Sequence, residues 1–332
     1  MLNTVPGRDL KGIFTLRSLQ DALHITDYYN SLKALMTEQR KLNIVHVGGS
    51  FISMEAVGFF AEELGDKANH IVVSRNKPFE NLFGKDAAKK IEQLHLSKGV
   101  QFVTEKNFEF VEFKESATES GCLGSFNYSK GDSNFVNQPA DLCILALGGR
   151  PNTNFLDNTQ INMNKNKYVI VDKNMKTNLD DVFAIGDITV FPAECLINIP
   201  VNEPEINIQH WSVACTQGRS AALSIINQSR TEKLNSDLRL VPFFWSTQLK
   251  KAIRFAGFNK TYDSIVFHED PSKQNPLKFA AFYLSQDKVV GVATLDWDPI
   301  CSIFAETLYN RIEVKREHID KEPMDLKKLL TY

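Results

Sequence analysis

Apolar positions along the chain fall into two patterns, short unbroken runs and longer stretches with helical spacing, and the two alternate through the first half. Ile44, Val45 and Val47 make a strand that runs directly into Gly48, Gly49 and Ser50. From Phe51 the spacing turns helical, with Phe51, Ile52, Val57, Phe60, Ala61 and Leu64 on one face of residues 51–64. Residues 70–74 follow as a second parallel strand, 86–97 as an amphipathic helix and 99–103 as a strand. Residues 108–114 alternate as a strand with one wet face does, and with 126–128, a turn at Lys130, Gly131 and Asp132, and Phe135–Val136 they form an antiparallel excursion. Residues 142–147 are continuously apolar and end in Gly148, Gly149, Arg150 and Pro151, as expected of a buried parallel strand returning to the first sheet.

Ahead of this unit, residues 5–17 are a turn-rich entry to a short strand. Ser18 or Asp21 caps a helix carrying Leu19, Ala22, Leu23, Ile25, Tyr28, Tyr29, Leu32 and Leu35. After it, residues 182–187 read as a buried strand closing on a Gly186-Asp187 turn, and a helix with Ala214, Gln217, Gly218 and Ala221 follows His210 and Trp211. Beyond Pro242, strands at 253–258, 277–284 and 289–295, the last two a hairpin, precede helices at 299–309 and 324–330. The predicted class is α/β: a Rossmann-like nucleotide-binding domain at 36–155, set between 1–35 and 156–240, with an α+β domain at 241–332.

The 332-residue chain carries a formal net charge of −2, which leaves no electrostatic footprint for nucleic acid. The basic run 250–254 is short and interrupted, as on a solvated face. Five cysteines lie far apart without a Cys-x-x-Cys pair or metal-ligand spacing, and seven histidines are equally scattered, so no metal is expected and a reducing, intracellular setting is. No apolar run reaches the roughly 18 to 20 residues of a membrane span.

A strand, a glycine turn and a helix suggest a dinucleotide site, because the first helical turn offers unpaired N–H groups to a pyrophosphate. In the strict fingerprint Gly-x-Gly-x-x-Gly, this chain has Gly48, Ser50 and Ser53. Ser50 brings a Cβ where the ligand comes closest, although its hydroxyl can donate to phosphate. Ser53 is small enough to keep the helix near the sheet. At the second strand's end, where an NAD site wants an acid for the ribose 2′-hydroxyl, the chain offers Val73, Ser74 and Arg75. A hydroxyl beside a guanidinium tilts towards NADP, or towards a site without selectivity; Arg75 is equally compatible with a solvated loop.

Gly48-Gly-Ser-Phe-Ile-Ser-Met-Glu55, Ala146-Leu-Gly-Gly-Arg-Pro-Asn152 and Thr177-Asn-Leu-Asp-Asp-Val-Phe-Ala-Ile-Gly-Asp187 together resemble the two-dinucleotide flavoprotein reductases. His210-Trp211, Gln217-Gly-Arg219 and Pro242-Phe-Phe-Trp-Ser-Thr-Gln248 narrow the resemblance to the apoptosis-inducing factor family, in its Rieske-fused branch. The resemblance implies that 1–35 and 156–240 are the two parts of a partial FAD-binding domain, that Gly186 and Asp187 meet the ribityl chain of FAD, that His210 and Trp211 open a helix near the flavin ring, and that Trp245 lies against it. It places Glu55 near the nicotinamide and Arg150, after Gly148, on a loop closing over that cofactor, although both are also compatible with surface charges.

The activity implied is that of an FAD-dependent NAD(P)H oxidoreductase handing electrons to a carrier protein of Rieske or ferredoxin type. No acid-base catalyst is required of the chain, since the cofactors carry the chemistry. A homodimer and a cytoplasmic or mitochondrial location are compatible with it. One departure stands out: the family's first glycine fingerprint, for the adenosine end of FAD, would lie upstream of Val5, and no Cys-x-His pair of a Rieske domain occurs. That departure, with Ser50 and Ser53, keeps open a non-catalytic scaffold or nucleotide-binding protein that has lost FAD.

Overall fold

The computed structural model describes residues 4–37, 40–131, 135–260 and 262–330. Asp132, and with it part of the expected turn at Lys130–Asp132, lies outside the described residues. The chain packs as two units, Met1–Gly148 with Ser246–Lys251, and Gly149–Trp245 with Ala252–Tyr332.

The first unit contains, in chain order, β1 (Ile13–Phe14), α1 (Leu19–Lys33), β2 (Leu42–Val47), α2 (Phe51–Leu64), β3 (Ala68–Ser74), α3 (Glu80–Leu96), β4 (Val100–Thr104), β5 (Glu109–Glu115), β6 (Leu123–Ser129), β7 (Phe135–Pro139) and β8 (Leu142–Leu145). Its main sheet is parallel, in the order β1-β8-β2-β3-β4. β5, β6 and β7 form an antiparallel sheet of their own. The period of two along β2 assigns the two layers. Val45 and Val47 join Ile71, Val73, Phe113 and Phe126, so the antiparallel sheet covers one face. Leu42 and Ile44 join Ile25, Tyr29, Leu32 and Phe60, so α1 and α2 cover the other.

The first described residues thus pack in the same unit as the parallel sheet, through β1 and α1. Ser18 and Asp21, foreseen as alternative caps of α1, act together: the Asp21 N–H donates to Ser18 Oγ at 3.2 Å, and the Ser18 N–H donates to the Asp21 carboxylate at 2.9 Å. α3 starts six residues before the expected helix and bends at Gly84, whose φ is 78°. That extra turn is held by aromatic packing, with the Phe79 ring 4.9 Å from Phe51 and 5.6 Å from Phe83.

The second unit contains β9 (Val169–Ile170), β10 (Thr189–Pro192), β11 (Glu205–Ile206), α4 (Trp211–Ser229), β12 (Phe243–Gln248), β13 (Lys251–Gly257), β14 (Ser264–Glu269), β15 (Phe279–Ser285), β16 (Lys288–Leu295) and α5 (Ile300–Tyr309). β11-β10-β9 is a small sheet, and β12-β13-β16-β15-β14 a larger one. Residues 246–251, the tip joining β12 to β13, belong to the first unit.

The strand expected over 182–185 does not form. Phe183 makes an isolated bridge to Lys176, and Val182 and Ile185 are 39% and 43% exposed. Positive φ at Asp181 and Gly186, 59° and 79°, turns the backbone at both ends of the segment. β12 and β14 were not foreseen as strands, and residues 323–330 form a 3₁₀ helix where an α-helix was expected. No helix among the described residues is long and apolar enough to cross a membrane.

Candidate dinucleotide sites

β2 ends at Gly48, whose N–H donates to the Val73 carbonyl at 2.8 Å and whose φ is 114°. A Cβ there would lie 2.2 Å from the Ala146 carbonyl oxygen, so the turn admits only glycine. A Cβ on Gly49 would lie 3.3 Å from Ser74 Oγ. Ser50 is the N-cap of α2 yet makes no side-chain hydrogen bond to the helix start, so the first-turn N–H groups keep their capacity for a ligand. Ser53 is fully buried and its hydroxyl has no partner among the described residues, which fits a packing role at the third fingerprint position.

In front of this turn opens a cavity of about 720 Å³, lined by Gly48, Gly49, Ser50, Phe51, Ser74 and Arg75. Phe79, Leu82, Phe108, Phe110 and Leu147 supply an apolar wall. Sequence reasoning missed Glu109, also in the lining, because the alternation of 108–114 marks a half-wet strand and not what its wet side faces. Ser74 and Arg75 are both engaged. Ser74 Oγ donates to the Asn76 carbonyl at 2.6 Å, and Arg75 donates to the Phe108 carbonyl through Nε at 3.2 Å and Nη2 at 3.1 Å.

Ile52, Glu55 and Gly148 are not among the residues lining this cavity. Glu55 instead accepts a 2.6 Å hydrogen bond from Ser246 Oγ, which in turn accepts from Gln248 Nε2 at 3.1 Å. Ser246 and Gln248 are 3% and 1% exposed and lie far from Glu55 in sequence, so no local pattern announces the link. Gly148 follows the end of β8 with φ 85°, and Arg150 is exposed in the adjoining segment.

The remaining candidates meet in the second unit. Gly186, at φ 79°, donates its N–H to Gln217 Oε1 of α4 at 2.6 Å, and Thr189 Oγ1 donates to the Gly186 carbonyl at 2.9 Å. Asn207 Nδ2 donates to the main-chain carbonyls of Asp187 and Thr189, at 3.1 and 2.7 Å. The Asp187 loop is thus held by its backbone, while its exposed carboxylate takes part in none of these bonds.

His210 caps α4, its Nδ1 accepting from the Ser212 N–H at 3.3 Å, so the neutral ring carries its proton on Nε2. Burial lowers the His210 pKa and the Asp187 charge opposes that shift. Phe244 and Trp245 both hold their ring centroids 6.1 Å from the His210 ring. Trp211 and Trp245 are 80% and 59% exposed.

These residues fit the groups the sequence implied. An uncapped helix start behind a glycine that tolerates no Cβ suits a pyrophosphate. An exposed carboxylate on a loop fixed by its backbone, with two exposed indoles in the same unit, suits a polyol chain and a flat aromatic ring.

A parallel sheet with a glycine turn at a helix start places the chain in the class of α/β folds that bind dinucleotides. Within that class the chain belongs to the pyridine nucleotide-disulphide oxidoreductase family, which it matches over residues 2–218; residues 243–330 match the reductase C-terminal family. It is 27% identical to apoptosis-inducing factor 3 of Mus musculus over 96% of this chain and 47% of the relative. It is 29% identical to monodehydroascorbate reductase 2 of Arabidopsis thaliana over 86% of this chain and 60% of that enzyme. The chain thus spans about half the length of the first of these relatives. Its fold is shared with the reductase of a covalent putidaredoxin reductase-putidaredoxin complex, at TM-score 0.79 and 21% identity over 97% of this chain and 69% of that one. Despite the family's title, the cysteines of this chain are free thiols, four of them buried.

Proposed function

We propose that the chain is an FAD-dependent NAD(P)H oxidoreductase that passes hydride from nicotinamide to flavin and electrons to an external carrier protein of ferredoxin or Rieske type. The observation that carries this reading is the cavity at the start of α2, with Gly48 and Gly49 in its lining and no side-chain cap competing for the helix N–H groups. A bound flavin would accept hydride from the reduced nicotinamide and release electrons singly.

The chain's own part is binding and orientation. Gly48 to Phe51 would hold the pyrophosphate, and the Phe79 and Phe108 wall would exclude water from the cavity. Gly148, at φ 85°, would turn the chain at the nicotinamide end. Asp187 would accept from a ribityl hydroxyl, and Trp211 and Trp245 would cover ring faces. The proposed domain division is a nucleotide domain at 36–155, flavin-binding segments at 1–35 and 156–240, and a C-terminal domain at 241–332. The scattered free thiols favour an intracellular setting, cytoplasmic or mitochondrial.

Two measurements on the purified chain test this. Adding FAD should quench tryptophan fluorescence, because Trp211 and Trp245 are exposed, and Asp187→Ala should weaken that quenching about tenfold in FAD concentration. With FAD present, NAD(P)H should be oxidised by an artificial one-electron acceptor. Nicotinamide binding without any flavin binding would leave the nucleotide-binding scaffold in place of the enzyme.

A further inference from the structure

Dinucleotide choice is legible in the charges around the first cavity. Where such a site binds its ligand, the pyrophosphate rests on the first glycine turn and the adenosine ribose lies at the end of the second strand, here β3. Three charged side chains line the cavity among the described residues: Arg75, Lys77 and Glu109. Lys77 is paired with Glu92 at 3.1 Å. Arg75 has closed its Nε–Nη2 edge, the fork that would clasp a phosphate, on the Phe108 carbonyl. Glu109 is exposed, follows that carbonyl directly in the chain, and makes no side-chain hydrogen bond or ion pair among the described residues. The Ser74 hydroxyl, the other candidate at this strand end, has its proton on Asn76.

We infer that Glu109, supplied by the first position of β5, sets the cofactor preference: it accepts from the adenosine 2′-hydroxyl of NADH and repels the 2′-phosphate of NADPH. The acid that dinucleotide sites usually carry at the end of the second strand is here delivered from another strand, and Arg75 serves as the brace that fixes its peptide. The preference is opposite to the one the Ser74-Arg75 pair suggests. This inference rests on the dinucleotide reading of the cavity.

The test is the affinity of the purified chain for NADH and for NADPH, followed by nicotinamide fluorescence, which needs no flavin and no turnover. The expected result is NADH binding about tenfold or more tighter than NADPH, a ratio falling to about one to three in Glu109→Gln, and an inverted ratio in Glu109→Arg. Equal affinities in the unaltered protein, tighter NADPH, or a ratio that neither substitution moves would overturn the assignment while leaving the cavity a dinucleotide site. Binding of neither dinucleotide would overturn both.

Discussion

Gly48 and Gly58 lie on the same strand-turn-helix and should respond oppositely to one added methyl group. At Gly48 the new Cβ would meet a backbone carbonyl at 2.2 Å, at a φ of 114°. That carbonyl belongs to Ala146, just past β8, whose N–H is bonded to the Val47 carbonyl at 2.8 Å, so Gly48→Ala should cost on the order of 3 kcal/mol or more and abolish dinucleotide binding. At Gly58, inside α2, the Cβ would sit 3.5 Å from Leu249 Cγ, an ordinary contact. Gly58→Ala should therefore raise stability by about 0.5–1 kcal/mol through helix propensity. Urea denaturation of the two variants checks both signs. Ser246→Ala belongs at the same scale: it removes a 2.6 Å bond to the Glu55 carboxylate and leaves Gln248 Nε2 without its acceptor, and should cost about 1–3 kcal/mol. A double-mutant cycle with Glu55→Ala should return most of that as coupling; additivity would mean the bond contributes nothing.

At the scale of elements, β2, β3 and α3 each bury a histidine. His46 is fully buried with neither ring nitrogen bonded among the described residues, and its pKa is pushed down to about 3 by burial, with His70 adding to the shift. Burial also lowers His70 and His95, against the raising effect of carbonyl acceptors at Gly65, Ile91 and Met54. The folded pKa lies below the unfolded value in each case. Stability is therefore fully present above about pH 6.5 and is lost as the pH falls, since only the unfolded chain takes up the protons. For His46 the expected slope is about 1.4 kcal/mol per pH unit, continuing to about pH 3, and His70 and His95 add to it in the same direction. His46→Leu should flatten the acid limb of a stability-pH curve by one such contribution, and an unchanged limb would remove His46 as its origin.

These same elements mark what the sequence can convey. Residues 51–64 were legible as a helix because one apolar face repeats through them, and β2 because Ile44, Val45 and Val47 run straight into a glycine turn. Residues 182–185 are apolar but held by turns at either end, and composition alone could not separate them from a strand. The roles of Arg75 and Glu109 depend on which carbonyl lies opposite, and Glu55 depends on Ser246; neither pairing has any local signature.

At the scale of the molecule, the three tryptophans, Trp211, Trp245 and Trp297, all fall in the second packing unit, and the first has none. Tryptophan emission therefore follows the second unit, while far-UV circular dichroism, with three helices and eight strands described in the first, follows that unit as well. Because the proposed nicotinamide cavity is lined wholly by first-unit residues, a ligand there binds the folded first unit and not its unfolded chain. At about 100 times its Kd such a ligand adds about 2.7 kcal/mol, which for a unit of this size should raise the dichroism midpoint by about 5–10 °C. NADH should produce that rise in the unaltered protein and none in Gly48→Ala, whose turn no longer admits the pyrophosphate. A rise that survives the substitution would move the binding site away from the start of α2, and with it the reading of the cavity as the nicotinamide half of a reductase.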